Sequence, residues 1–197
     1  MTTTKKVSRG RPASFDKDKA VAIALSEFQK SGYDGVGVAR LGAAIGVNPP
    51  SLYAAFGSKL GLFERALEAY STQPDSFTAR ALSSPGPVAD ALEAMLHEAA
   101  RIYSADREHA GCLVMDGTRN CADAAAIAIG ERYKKRLRGA IAAFAAREAP
   151  EAADDIAGYV MFLLAGLSAA SRDGASEEEL ERFVMRAMPG LRDALGG

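Results

Sequence analysis

Apolar residues recur along most of this chain at intervals of three and four, the period of a helix with one buried face. Ala20, Ala24 and Phe28 form one such stripe, with Val21 and Leu25 beside it, and predict a first helix over Asp16–Ser31. Asp16 and Asp18 stand near its start, where the helix dipole favours acids, and Gly32 ends it. Val38, Leu41 and Ile45 mark a short second helix that stops at Gly46, a residue able to take left-handed geometry. Asn48-Pro49-Pro50-Ser51 starts a third. Pro50 is its expected first residue, because a residue before proline avoids helical geometry. Leu52 and Phe56 share its inner face and Gly57 stops it. Ser58 then caps a longer run to about Arg80, with Leu62, Phe63, Ala66, Leu67 and Tyr70 inward and a candidate break at Gln73-Pro74-Asp75.

The clearest loop follows, Ser83-Ser84-Pro85-Gly86-Pro87. Val88–Ser104 reads as a helix with Leu92, Met95, Leu96, Ala99 and Tyr103 inward. Ala122–Ala149 reads as a long one, with Ile127, Tyr133, Leu137, Ile141 and Phe144 on its inner face. Ala152–Arg172 is the most apolar; its Ile156, Met161, Phe162, Leu163, Leu164 and Leu167 cover nearly every side, which demands burial on several faces. Glu177–Leu195 closes the chain, with Leu180, Phe183, Val184, Ala187 and Leu191 on one side and a kink or break at Pro189. The pattern is all-α, with about nine helices expected.

Two short helices joined by a glycine turn make a helix-turn-helix, whose second helix can enter the DNA major groove. The string itself is more specific. Gly32-Tyr33, Leu41, Ile45-Gly46-Val47, Ser51-Leu52-Tyr53, Phe56 and Ser58-Lys59 resemble the amino-terminal domain of TetR-family transcriptional regulators, from about Asp16 to about Tyr70. The resemblance implies a basic arm (1–15), a three-helix DNA-binding domain (16–70) and a helical effector-binding and dimerisation domain (71–197). It implies a homodimeric repressor, released from a palindromic double-stranded operator by an unknown small molecule, with no cofactor and no enzymatic activity.

The resemblance carries DNA contact onto Asn48, Pro49, Pro50, Ser51, Tyr53 and Lys59. Arg9-Gly10-Arg11-Pro12 is similar to the family's basic arm, so Arg9 and Arg11 would reach a minor groove or flanking phosphates. Arg40, off the apolar stripe of the second helix, is a further candidate for the DNA backbone. Lys59 opposes the dipole of the helix it starts, an arrangement useful if phosphate arrives. Val36, Gly37 and Leu60 depart from the family, which commonly has hydroxyls at the first two positions and an acid at the third. The missing hydroxyls remove about 1 kcal/mol of capping. Candidate effector-pocket residues are Met95, Tyr103, Leu113, Met115, Tyr133 and Phe162. The family dimerises through its last two helices, which points to Gly158, Phe162, Gly166, Ala169, Phe183 and Ala187. Gly111-Cys112-Leu113 is similar to a subgroup that includes the copper-linked ComR-like regulators.

Composition changes little: 48% of residues are hydrophobic and only 7% aromatic, with the abundance of alanine that suits helices. Charge placement adds more. Residues 1–65 hold ten Lys or Arg against five Asp or Glu, and the remainder 14 against 20, so a basic front (+5) precedes an acidic back (−6). That suits a protein presenting one end to phosphate. Two cysteines make no disulfide framework, no signal peptide opens the chain, and the strongly apolar uncharged run Ile156–Ser171 is shorter than the ~20 residues of a membrane span. A cytoplasmic protein without a membrane partner is expected. Cys112 and Cys121 are nine apart and would face opposite sides of one helix, so a redox pair needs a break near Gly117. His97 and His109 show no zinc-ligand spacing with them or with Met115, and no metal site is expected. No phosphate-binding glycine loop or nucleophile elbow is present in the sequence. The alternatives are a redox- or metal-responsive regulator of the same fold, and a helical binding protein or enzyme without DNA binding.

Overall fold

The computed structural model describes residues 16–196, and every regular element within them is helical. The candidate arm residues Arg9 and Arg11 lie outside the described residues. Helix α1 (Lys17–Ser31) starts on Asp16, whose carboxylate accepts from Asp18 N and Lys19 N at 3.1 Å, and ends at Gly32 with φ +66°. Helix α2 spans Val38–Ile45, α3 Pro49–Phe56 and α4 Lys59–Ser71. These are followed by α5 (Phe77–Leu82), α6 (Val88–Ser104), the one-turn α7 (Leu113–Asp116), α8 (Ala124–Ala145), α9 (Ala153–Arg172) and α10 (Glu177–Ala194).

Four local features refine the expected pattern, among them the break expected at Gln73-Pro74-Asp75, which is present. Helix α3 begins at Pro49, one residue early, because the Asn48 carboxamide accepts from Ser51 N and fixes Asn48 itself as the cap. The run from Ser58 divides into α4 and α5, with Pro74 between them and Ser76 capping the second piece. In α8 the inward stripe is Ala126, Ile129 and Tyr133, which leaves Ile127 37% exposed rather than buried. Helix α10 continues through Pro189, which sits on its exposed side, where a freed carbonyl one turn back can meet water.

Helices α1 and α4 pack along each other, and α2 and α3 close over their ends. Phe28, Tyr33 and Phe63 lie at the centre of that group; the Phe63 ring is 5.0 Å from each of the other two. In the rest of the chain α9 is central, packed against α6, α7, α8 and α10. The stretch Pro150–Arg172, 23 residues with an 18-residue window of mean hydropathy 1.3, is by length and composition apolar enough to cross a membrane. Its Ile156, Val160, Leu164 and Leu167 are instead completely buried among the neighbouring helices, the environment of a core helix.

Candidate nucleic-acid interface and effector cavity

The turn between α2 and α3 depends on two glycines. Gly46 takes φ +81°, and a Cβ on Gly42 would sit 2.7 Å from the Val47 carbonyl oxygen. Val47 N donates to Gly42 O at 2.9 Å, so the chain folds back directly onto α2. Leu52 and Phe56 bury the inner side of α3, while Pro49, Pro50, Ser51, Tyr53 and Ala54 face outward, Tyr53 at 48% exposure. The result is a short apolar ridge with one hydroxyl from Ser51 and one phenol. Asn48 is half committed, since its oxygen caps the helix.

Lys59 opens α4 behind the Ser58 cap, whose hydroxyl accepts from Gly61 N at 3.0 Å. The Lys59 ammonium lies 3.9 Å above the centre of the Tyr33 ring. The electron-rich ring face offsets the unfavourable dipole and leaves other ammonium hydrogens for a phosphate. Arg40 is more occupied than its sequence position suggested. It forms an ion pair with Glu27 at 2.6 Å, poorly aligned for a hydrogen bond, and donates to Ser31 Oγ at 3.2 Å.

Tyr33 also fastens this region to the remainder of the chain. Its backbone N–H donates to Gly117 O at 2.8 Å and its hydroxyl to Asp123 Oδ2 at 3.1 Å. Burial, reinforced by Asp123, pushes the phenol up to about 12. The Ala126 N–H and the Tyr33 hydroxyl both hold the Asp123 carboxyl below its usual range. Asp123 is the cap of α8, so one carboxylate joins the Tyr33 ring to that helix. A second fastening runs from α1: Ser26 Oγ to His109 Nε2 at 2.8 Å, Lys30 to Glu108 at 2.7 Å, and Arg172 Nη2 to Gln29 O at 3.1 Å. Asp106 completes a Ser–His–Asp line at 2.6 Å from His109 Nδ1. It lies outside the cavity lining and straps α1 to the turn Arg107–His109.

A cavity of about 400 Å³ opens between the end of α4, α5, α6 and α8. Tyr70, Phe77, Ile102, Tyr103, Val114 and Leu137 give it an apolar and aromatic wall. Tyr70 donates to Cys112 Sγ at 3.5 Å, and burial pushes the Tyr70 and Tyr103 phenols up, so both are neutral donors. The Ser71 hydroxyl, also in the lining, is buried without a hydrogen-bond partner. Of the six expected pocket residues, Tyr103 and Tyr133 stand here. Leu113 and Met115 do not line it; from the same buried stretch Cys112 and Val114 do. Met95 lines a second recess between α5 and α6. Phe162 is 79% exposed on the outside of α9, which overturns its assignment to the pocket. The α4–α5 break supplies much of the lining; Gln73-Pro74-Asp75 was legible as punctuation but not as a wall.

Phe162 instead joins Tyr159, Phe183 and Met185 among the exposed large apolar side chains of α9 and α10. Tyr159 donates to Ala187 O at 3.0 Å, tying the two helices together. Gly166 is exposed beside Phe183, and Gly158, Ala169 and Ala187 are half-buried. Among the described residues both cysteines are free thiols, and no group of three or more His, Cys, Asp or Glu is placed to hold a metal.

The sequence pattern of "Bacterial regulatory proteins, tetR family" matches residues 21–66, which hold α2, α3 and most of α1 and α4. The repressor BdcR of Escherichia coli is 40% identical over 179 residues, 90% of either chain. The repressor ComR of the same organism is 31% identical over 192 residues, covering 91% of this chain and 90% of its own. A cysteine-substituted form of the TetR-family regulator CifR, solved on 26 base pairs of double-stranded operator DNA, superimposes with a TM-score of 0.79. That match has 30% identity and covers 91% of this chain and 98% of CifR. With 40% identity across 90% of the chain, and a head built around the Gly42–Gly46 turn, the chain belongs to the TetR family of helix-turn-helix, DNA-binding transcriptional regulators.

Proposed function

We propose that the chain is a homodimeric repressor that grips a palindromic operator with paired α2–α3 heads and lets go when a small molecule fills the cavity. One observation carries this reading. Helix α4 has Lys59 at its start and Tyr70 and Ser71 in the cavity wall at its end. Its 13 residues span ~20 Å as one stiff rod. A ligand that prefers a different α4–α5 geometry therefore shifts the heads by that preference and no more. In this reading residues 16–70 act as the head and 71–197 as the sensor. Asn48, Pro49, Pro50, Ser51, Tyr53 and Lys59 meet DNA, with Arg9 and Arg11 on its backbone, and Arg40 must first leave Glu27. Phe162, Phe183 and Gly166 centre the dimer contact. A role on chromosomal DNA places the protein in the cytoplasm.

That BdcR and ComR are repressors, and that CifR is seen on operator DNA, supports the repressor reading. Since BdcR shares more of its sequence than ComR, we set the chain beside both rather than in a ComR-like subgroup. Selection of duplexes from a random pool tests the proposal. Two-fold symmetric sites bound by a dimer are expected; recovery of asymmetric sites by a monomer would overturn it. A thiol-responsive regulator is the second reading, favoured by Cys112 in the cavity wall. Equal operator affinity under reducing and oxidising conditions would remove it.

A further inference from the structure

We infer that the cavity takes an amphipathic organic anion, an apolar chain or ring carrying one carboxylate-like head group. This rests on the cavity being the effector site. Arg80, Arg101 and Arg136 line it, against a single carboxylate, Asp75. Arg80 and Arg101 share one acceptor, Glu98, at 3.3 and 2.8 Å. Each guanidinium has five N–H donors and no acceptor, so the shared carboxylate, together with the Asp75 carbonyl oxygen to which Arg80 also donates, still leaves several of them open. Glu68, the partner of Arg136 at 3.2 Å, is also the acceptor for the Tyr133 hydroxyl at 2.8 Å. The three arginine side chains are 55%, 53% and 61% exposed. Ion pairs so exposed are worth little, so an arriving anion can recruit these guanidiniums without breaking anything costly.

The deeper wall fits the remainder of such a molecule. Phe77, Ile102, Val114 and Leu137 offer carbon surface to an apolar body. Among the polar atoms near them, the Tyr70 hydroxyl is committed to Cys112, whereas the Ser71 hydroxyl is buried and lacks a partner. A ligand oxygen would satisfy Ser71, whereas a cationic ligand would face three guanidiniums.

Titration calorimetry of the full chain with three ten-carbon probes separates the outcomes: decanoate, decan-1-ol and decylamine, all below their micelle concentrations. Decanoate is expected to bind about tenfold more tightly than decanol, with decylamine weakest. Arg80→Gln with Arg101→Gln should bring decanoate down to the decanol level; both side chains are exposed, so the melting temperature should hold. Ala140→Trp, which fills the cavity from its exposed rim, should abolish binding of all three. Decylamine binding as well as decanoate, an undiminished double variant, or no binding by any probe would each overturn the inference. If decanol binds, Ala140→Trp blocks it and decanoate gains nothing, the anion preference falls while the cavity reading stands. Decanoate binding that survives Ala140→Trp would mean a different site, and the inference fails with the cavity reading.

Discussion

Removing the Tyr33 ring should weaken operator binding although Tyr33 itself is only 5% exposed. The ring sits 3.9 Å beneath the Lys59 ammonium, a cation–π contact worth about 0.5–1 kcal/mol at a partly exposed site. Without it Lys59 must be ordered by the phosphate alone. Two heads per operator double the loss to about 1–2 kcal/mol, a rise in Kd of roughly 5- to 30-fold for Tyr33→Leu. Tyr33→Phe keeps the ring and loses only the hydroxyl to Asp123, so its affinity should stay within about threefold of the parent. Lys59→Ala separates positioning from contact. It should lower the slope of log K against log salt by ~0.9 per head, whereas Tyr33→Leu leaves the slope intact. Fluorescence anisotropy on a selected duplex at several salt concentrations reads all three. An unchanged Kd for Tyr33→Leu, or equal losses for Leu and Phe, would refute the reasoning.

Phe162→Asp should convert the dimer to a monomer with unchanged helical content, since the side chain is 79% exposed and contributes little to the monomer core; sedimentation velocity checks this, and a persisting dimer refutes it. Asp116→Asn should cost about 3 kcal/mol in denaturant unfolding, because the buried carboxylate holds Arg119, Arg172 and the Ser168 hydroxyl. A loss below about 1 kcal/mol would contradict that role. The two fastenings, around Tyr33 and from α1 to the Arg107–His109 turn, should also depend on pH. Asp106, Glu108 and Asp123 lie below their ordinary 3.8, 4.5 and 3.8, held mainly by His109, Lys30 and the Ala126 N–H respectively. Lys30 lies above its ordinary 10.5 because of Glu108. Carboxylates lowered by folding stabilise fully above their unfolded values and cease to as pH falls through the folded ones; a raised lysine does so below 10.5 and fails as pH rises past its folded value. Protection of the Tyr33 amide against hydrogen exchange, corrected for intrinsic rates, should therefore be flat between these limits and fall at both ends.

The head was legible because its information is local. Gly46 must be left-handed, Asn48 and Ser58 must cap, and Leu41, Leu52 and Phe56 keep helical spacing, so a short string determines the turn. Gly42 carries an equally strict requirement, yet its contact with Val47 O depends on the chain returning, and its neighbours in sequence do not announce it. The cavity was read only in part for the same reason. Tyr103 and Tyr133 were apparent as inward aromatics, but Arg80, Arg101 and Arg136 come from three helices, and each alone looks like a solvated charge. The assignment of Phe162 to the pocket, though not to the dimer surface, shows the opposite failure. An apolar residue on an apolar helix suggests burial, and only packing reveals that its side of α9 faces outward. Tyr33 and Lys59 are 26 positions apart, and their stacking follows from α1 and α4 lying side by side.

Hydroxyl-radical footprinting of the protein on a selected duplex tests most directly whether two α2–α3 heads act together on DNA. Two protected patches are expected on one face of the helix, symmetric in sequence, with centres about one turn (~10 base pairs) or a multiple apart. Both should fade together in Lys59→Ala. A single patch, or two that fall on opposite faces of the duplex, would contradict paired engagement by these heads.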